Sequence, residues 1–367
     1  MLGFLIAPLT NTLRPHFALS KTRLATLSVL LVGLANCRTV NLSHLASQFP
    51  GAALHASNYR RLQRFFQFVR LDEDVVAVLV VRILGLAGPK VLALDRTNWK
   101  LGSRDVNILV LAIVTQRFRV PLMWSLLDHG GNSSTAQRIE LMRRYLRLFD
   151  VSSIDALLAD REFVGARWLE FLNENNVPFV IRLRENLQVR TEGDGMLRLF
   201  RTLVHKSRRG SKRDWTGWLH PMAEKPENRL KFAAKRIRGK ESLIIATNME
   251  HPRSALHLYR RRWAIECLFS DAKTRGFNIE DTHITDSAKL ATLLGIVTLA
   301  VTWAHRCATR VMGRKPIRRK KHKRLEKSWF RTGFDALRRW IIYDPDDALL
   351  AWQMTIPKRP VKLPEIR

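Results

Sequence analysis

Up to about residue 88 the apolar positions recur with helical period. Ser20 is placed to cap a helix running through Leu34. Asn41 or Ser43 would open a short second helix that ends before Pro50-Gly51. In the following stretch, SNYRRLQRFFQFVR, Tyr59, Leu62, Phe65 and Phe66 share one helical face and Arg60, Arg61 and Arg64 the other. Short helix, turn and basic amphipathic helix is an arrangement compatible with a helix-turn-helix DNA reader. After Gly88-Pro89 the period changes. VLALD is an apolar run of strand length ending at Asp95, NILVLAIVTQ and RVPLMWSLLD follow, and IDALLAD repeats the first pattern and ends at Asp160. Helices over 135–148 and 165–175 and a strand in VPFVIRLREN complete an order of three strands, helix, strand, helix, strand. That order predicts an α/β fold built on a mixed sheet with helices on its faces. Residues 186–248 break the pattern with Gly, Lys, Arg and Ser, short alternating segments around Trp215 and Trp218, and the strand SLIIAT, which together predict a β-rich insertion.

The polar pattern is most specific in YRRRWAIECLFSDAK, residues 259–273, which has no internal Pro or Gly. On a helix at about 100° per residue, Arg262, Glu266 and Lys273 fall within roughly 60° of Tyr259, on one narrow face. Ile265, Leu268 and Phe269 are left to face a core. A solvated helix with incidental i,i+4 charge pairs would also produce such a face. Its chemistry, a carboxylate among a hydroxyl, a guanidinium and an ammonium, suits a site that handles metal and phosphate together.

Charge narrows the choice of partner. The 367 residues carry 63 Lys+Arg against 32 Asp+Glu, a formal net charge of +31. Positive charge on that scale repels itself unless a polyanion neutralises it, and nucleic acid is the default polyanion. A membrane-binding basic protein would show an apolar anchor beside its charge. Here the apolar runs at 25–35, 75–88 and 290–304 fall short of a span or contain an arginine, so no membrane partner is expected. The start, MLGFLIAPLT, lacks the basic region of a signal peptide. Cys37, Cys267 and Cys307 are few, odd in number and far apart. They fit reduced thiols in the cytoplasm rather than a disulfide framework or zinc site. RKPIRRKKHKR at 314–324 holds eight Lys or Arg in eleven residues and reads as a mobile loop that would add salt-sensitive affinity near nucleic acid.

Asp95 and Asp160, each ending an apolar strand, and Glu266 on the polar helix face supply three carboxylates. Strand ends project side chains into a crevice at the sheet edge. Each aspartate taken singly is better read as a strand-end cap or turn residue. Taken together, in so basic a chain, converging acids would repel unless cations lay between them. Two Mg²⁺ ions, for which Mn²⁺ can substitute, would remove that repulsion and drive phosphoryl transfer.

Tyr259, Arg262, Glu266 and Lys273 match the signature Y-(2)-R-(3)-E-(6)-K without departure in spacing. DREF at 160–163 and LDRTNW at 94–99 resemble the segments around two further acids. On these residues the chain resembles the DDE transposases of bacterial insertion sequences, specifically insertion-sequence family four. The resemblance covers roughly residues 55–340, including RRLQRFF at 60–66. It implies a ribonuclease-H-like catalytic core at 89–340, interrupted by the β-rich insertion at 186–248. An all-helical DNA-binding domain at 1–88 would precede the core, and a tail at 341–367 would follow it. It also implies cut-and-paste transposition by a homodimer acting on element ends and target DNA. The ends are nicked and the freed 3′-hydroxyl forms a hairpin, which water opens before strand transfer. No small-molecule cofactor is expected, and the protein would work in the cytoplasm at the nucleoid.

By the same resemblance Asp95, Asp160 and Glu266 would be the catalytic metal ligands, and Tyr259, Arg262 and Lys273 would grip phosphates near the scissile bond. Arg161 is a further DNA-contact candidate, and Trp215 and Trp218 are candidates for stacking a flipped base, although Trp in a β segment also serves as core. The alternatives are a catalytically inactive DNA-binding descendant and another metal nuclease of this fold. An RNA-binding structural protein is a third, which would need the charge but not the acids.

Overall fold

The computed structural model describes residues 3–353 except 206–209, 211, 238–240, 314 and 322. The expectations that concern Arg314, His322 and residues 354–367 lie outside that range. Five helices come first: α1 (Gly3–Leu13), α2 (Lys21–Cys37), α3 (Leu42–Ala46), α4 (His55–Phe68) and α5 (Glu73–Leu84). Their starts follow the chemistry of the sequence, with the Ser20 side chain accepting from the Arg23 N–H and that of Asn41 from the Ser43 N–H.

The strands and helices that follow are β1 (Lys90–Leu101), β2 (Arg104–Val114), β3 (Arg119–Leu127), α6 (Thr135–Leu148), β4 (Ile154–Ala159), α7 (Ala166–Glu174) and β5 (Phe179–Leu183). β1, β2 and β3 are antiparallel neighbours, whereas β4 and β5 join in parallel to β1. Next come β6 (Gln188–Thr191), β7 (Leu197–Leu199), α8 (Phe200–His205), β8 (Lys212–Leu219), β9 (Leu230–Lys235) and β10 (Leu243–Thr247). These strands do not form a sheet of their own. β10 returns antiparallel to β5, giving one ten-stranded mixed sheet in the order β3-β2-β1-β4-β5-β10-β9-β8-β6-β7.

The C-terminal part is helical. α9 (Pro252–Leu258) leads through a 3-10 turn at Tyr259–Arg262 into α10 (Trp263–Ala272). Then come α11 (Ser287–Met312), α12 (Trp329–Tyr343) and α13 (Pro345–Trp352). α11 is the central beam of the protein. β3, α2, α5, α12 and α13 all pack on it, so the N-terminal helices and the C-terminal ones share one core. By length and composition α11 could cross a membrane, which exceeds the fifteen-residue run read from the sequence. Yet 72% of its most apolar window is buried within the protein. α12 runs through residue 341 and buries Trp340 and Ile341.

Two expectations about the polar helix and its strand need correcting. Residues 259–273 are not one uniform α-helix. The first four are tightened into a 3-10 turn, and Lys273 is the C-cap with ψ −128°. Strand β1 does not stop at Asp95. It leaves β4 there, but stays zipped to β2 as far as Leu101↔Arg104, because Gly102, at φ +62°, closes a tight turn between them.

Candidate active site

The parallel register brings Leu94 beside Ala159, so the next residue on each strand, Asp95 and Asp160, leaves the paired region at the same edge. Both carboxylates are fixed by the chain just beyond them. Asp95 Oδ1 accepts the Arg96 N–H at 2.8 Å, and Asp160 Oδ1 accepts the Arg161 N–H at 2.7 Å. One residue further on, the two segments are tied together. The Arg96 guanidinium donates to Glu162 at 2.9 Å, to Asn107 at 2.9 Å and to Asn132 at 3.1 Å. Phe163 is fully buried beneath, under the Arg138 guanidinium. Arg96, Glu162 and Asn107 were not among the residues singled out from the sequence. For Arg96 the available signal was the opposite charge that directly follows Asp95 in LDRTNW, whereas Glu162 and Asn107 carried none.

The 3-10 turn and α10 complete the site. The Arg262 guanidinium donates to Asp95 Oδ2 at 3.0 Å, lies 3.8 Å from Asp160 Oδ2 and donates to the Glu266 carboxylate one turn along its own helix. Tyr259 donates its hydroxyl to Asp160 at 3.3 Å, and the Arg262 guanidinium lies 5.9 Å from the centre of its ring. The three acids thus meet on one arginine whose side chain is 12% exposed. They do not meet on one another. Among the described residues no group of three His, Cys, Asp or Glu side chains is close enough to hold a metal ion directly.

The electrostatics follow from that crowding. Burial is the main cause lifting the Asp95 carboxyl from 3.8 to about 6, with Glu162 and Asp160 adding to it, while the Arg96 N–H and Arg262 pull the other way. Burial also raises the Tyr259 hydroxyl, so it stays protonated as a donor. Burial works against the charge on Arg262, but Tyr259 and the three acids outweigh it and hold the guanidinium charged. One cation faces three carboxylates here. The donor set is entirely carboxylate oxygen, which suits hard divalent ions.

The remaining candidates lie further out. Lys273 donates to the Asn98 carbonyl at 3.1 Å, pairs with Glu280 at 2.8 Å and lies over the Trp99 ring, so it flanks the acids along β1 instead of touching them. Exposed Arg161 bonds Glu241 at 2.5 Å. On α4, Arg60 and Arg64 are exposed and Arg61 lies over the Phe49 ring. Trp215 stacks on Phe232 and packs on Phe200. The Trp218 indole donates to the Lys225 carbonyl at 2.8 Å. The Trp215 ring is engaged by both phenylalanines, and Trp218 is half-buried. Trp263, beside Arg262, is 63% exposed.

The model of the transposase DDE domain family matches residues 86–303, more than half the chain, and spans β1, β4 and α10. No curated protein matches the chain. Among solved structures, a piggyBac transposase synaptic complex with hairpin DNA gives a TM-score of 0.48 at 10% identity, over 95% of this chain and 79% of that one. Endonuclease V from Bacillus subtilis gives 0.26 at 11% identity, over 63% of this chain and 91% of that one. The catalytic domain of human endonuclease V gives 0.27 at 12%, over 66% and 98%.

Proposed function

The chain belongs to the transposase DDE domain family, and from that premise we propose that it is a cut-and-paste transposase of insertion-sequence family four whose catalytic acids are Asp95, Asp160 and Glu266. The observation that carries this reading is the gathering of those acids, from β1, the end of β4 and α10, around a single guanidinium. They answer to the DDE triad, and the signature residues Tyr259 and Arg262 are in contact with them.

The family works with divalent metal, and we assign two Mg²⁺ ions to these three acids, with Mn²⁺ able to substitute. The residues fit such a role: three carboxylates share one positive charge, and burial has already pushed Asp95 up to about 6. When bound, the ions would activate the attacking hydroxyl and stabilise the leaving oxygen. The protein's own residues do the rest. Arg96 and Glu162 hold the two aspartate segments in register. Tyr259 and Arg262 present a hydroxyl and a guanidinium to the phosphate that enters among the acids. Lys273, cradled by Asn98 and Glu280, meets the next phosphate along the strand.

The substrate is DNA, both element ends and target, in keeping with the net charge of +31. Residues 1–88 would read the element ends through Arg60, Arg61 and Arg64 on α4, and Arg161 would add a contact beside Asp160. The ribonuclease-H-like core covers 89–340, with the insertion at 186–248. Cleavage runs through a hairpin in a dimer. For the base displaced by that hairpin, the exposed ring of Trp263 is a better platform than the engaged ring of Trp215 or the half-buried ring of Trp218.

The test is a supercoiled plasmid carrying the gene with its natural flanks, incubated with protein and Mg²⁺. A released fragment with covalently closed ends is expected. Double-strand breaks with open ends throughout the time course would overturn the hairpin route, and binding without any metal-dependent cut would overturn the assignment as an active transposase.

A further inference from the structure

The basic run between α11 and α12 is a loop, and its described residues close into a turn. Arg319 and Leu325 form an antiparallel bridge. The Lys320 N–H donates to the Arg324 carbonyl at 2.9 Å and the Glu326 N–H to the Arg318 carbonyl at 2.8 Å. Lys323 adopts φ +64° at the tip, and its carbonyl accepts from the Arg319 guanidinium. The backbone is thus closed on itself while the side chains point outward. Lys315, Arg318, Arg319, Lys320, Lys321 and Lys323 are exposed. Among the described residues no carboxylate pairs with any of these six. Asp335, the acid at its base, is taken by Lys327 and Arg331.

This turn overhangs a groove of about 410 Å³. Arg117 and Arg119 come into the groove from the β2–β3 connection, Arg319 and Ile317 from the turn, Ala264 from α10 and Trp329 from α12. Arg119 anchors it to α10 through a 2.6 Å pair with buried Asp271, and Arg117 reaches over the Trp329 ring to the Gly313 carbonyl. Ala264 lies two residues before Glu266, so the groove is about 200° around α10 from the acids. It is therefore a second cationic surface, separated from the catalytic one by a single helix.

We propose that this turn and groove hold the phosphate backbone of the target duplex while the acids hold the element end. The inference rests on the transposase reading. A cleaved end stops at the acids, whereas target DNA continues past them on both sides and offers phosphates to a surface behind α10. The turn has the character such a contact needs. The six exposed cations named above have no carboxylate partner among the described residues, and residues 315–327 contain no Phe, Tyr or Trp on which a base could stack, so the turn reads charge and not sequence.

The test is Lys320→Gln/Lys321→Gln/Lys323→Gln in the full chain, with the three-arginine version as the charge-restoring control. Three measurements are made: binding to an unrelated duplex across a salt series, cleavage of uncut ends, and joining of pre-cleaved ends to a plasmid. The log–log salt slope for duplex binding should fall by about two to three units and joining by about tenfold at moderate salt. End cleavage should stay within about twofold, and the arginine version should recover joining. An unchanged slope would remove the turn from DNA altogether. Equal losses of cleavage and joining would make it an end or flank contact and overturn the target assignment. Tighter binding of the turn to duplex RNA than to duplex DNA would do the same. If wild type cleaves and joins nothing, the transposase reading fails and the target assignment with it, while a slope that still falls keeps the turn as a duplex contact.

Discussion

On β1, β4 and α10 three carboxylates share one mostly buried guanidinium, whereas on β6 to β9 charges are matched pair by pair at the surface. In the insertion Arg190 meets Glu224, Arg198 meets Asp194, Arg229 meets Glu192, and Asp214 meets Arg253 from α9. Both regions belong to one continuous sheet, so the contrast is not one between separate folds. Exposed pairs of the second kind contribute about 0–1 kcal/mol each and need no function to explain them. A half-buried cluster with two more negative charges than positive ones works against stability. Its presence is intelligible when cations or phosphates complete it.

The strongest way to break this contrast is Arg262→Ala. Without the guanidinium the three acids repel, so cleavage should fall by at least about a hundredfold, and the melting temperature should drop in metal-free buffer. Mg²⁺ should then raise the melting temperature of the variant more than that of wild type, read by thermal shift. Equal Mg²⁺ responses would show that Arg262 does not occupy the place of a cation.

Asp95→Asn tests the same imbalance through pH. Because the Asp95 carboxyl titrates at about 6 in the folded protein against 3.8 ordinarily, the folded state holds a proton that the unfolded chain has released. That contribution to stability is full below pH 3.8, declines as pH rises through about 6, and is gone at neutral pH. Asp95→Asn should therefore be more stable than wild type at pH 7.5, by about 1–3 kcal/mol, and should lose that advantage near pH 4. Denaturant melts at the two pH values check it, and an advantage independent of pH would contradict the burial argument.

Tryptophan substitutions separate packing from function across the two regions. Trp215→Ala should cost about 2–4 kcal/mol of stability, since its ring packs in one cluster with Phe200 and Phe232. Trp263→Ala should cost less than about 1 kcal/mol and yet reduce hairpin formation. Normal hairpin yield from Trp263→Ala would return Trp215 and Trp218 to consideration. The smallest effect belongs to the insertion's surface. Arg198→Ala should change stability by no more than about 1 kcal/mol and leave cleavage alone, and a larger loss would mean that the insertion's ion pairs form a working network.

Much of this was legible because side-chain chemistry and period agree. The apolar runs ending at Asp95 and Asp160 do leave the parallel pairing there, and the helix face does bring Tyr259, Arg262 and Glu266 together. Three features were not legible. β1 continues past Asp95 because β2 pairs with polar Arg96, Thr97 and Asn98, which local hydrophobicity does not reveal. The insertion joins the main sheet through β10 and β5, a pairing between residues about 60 apart in sequence that no local pattern specifies. The turn in the basic run closes through backbone hydrogen bonds that any sequence could make, so its composition did not reveal them.

The central claim is that Asp95, Asp160 and Glu266 act as one metal-dependent catalytic unit, and the most direct measurement is cleavage of an element-end plasmid by Asp95→Asn, Asp160→Asn and Glu266→Gln beside wild type. Each variant should bind end DNA within about threefold of wild type and lose cleavage by at least about a thousandfold, in Mg²⁺ and in Mn²⁺ alike. Cleavage near the wild-type rate by any one of the three would contradict the claim.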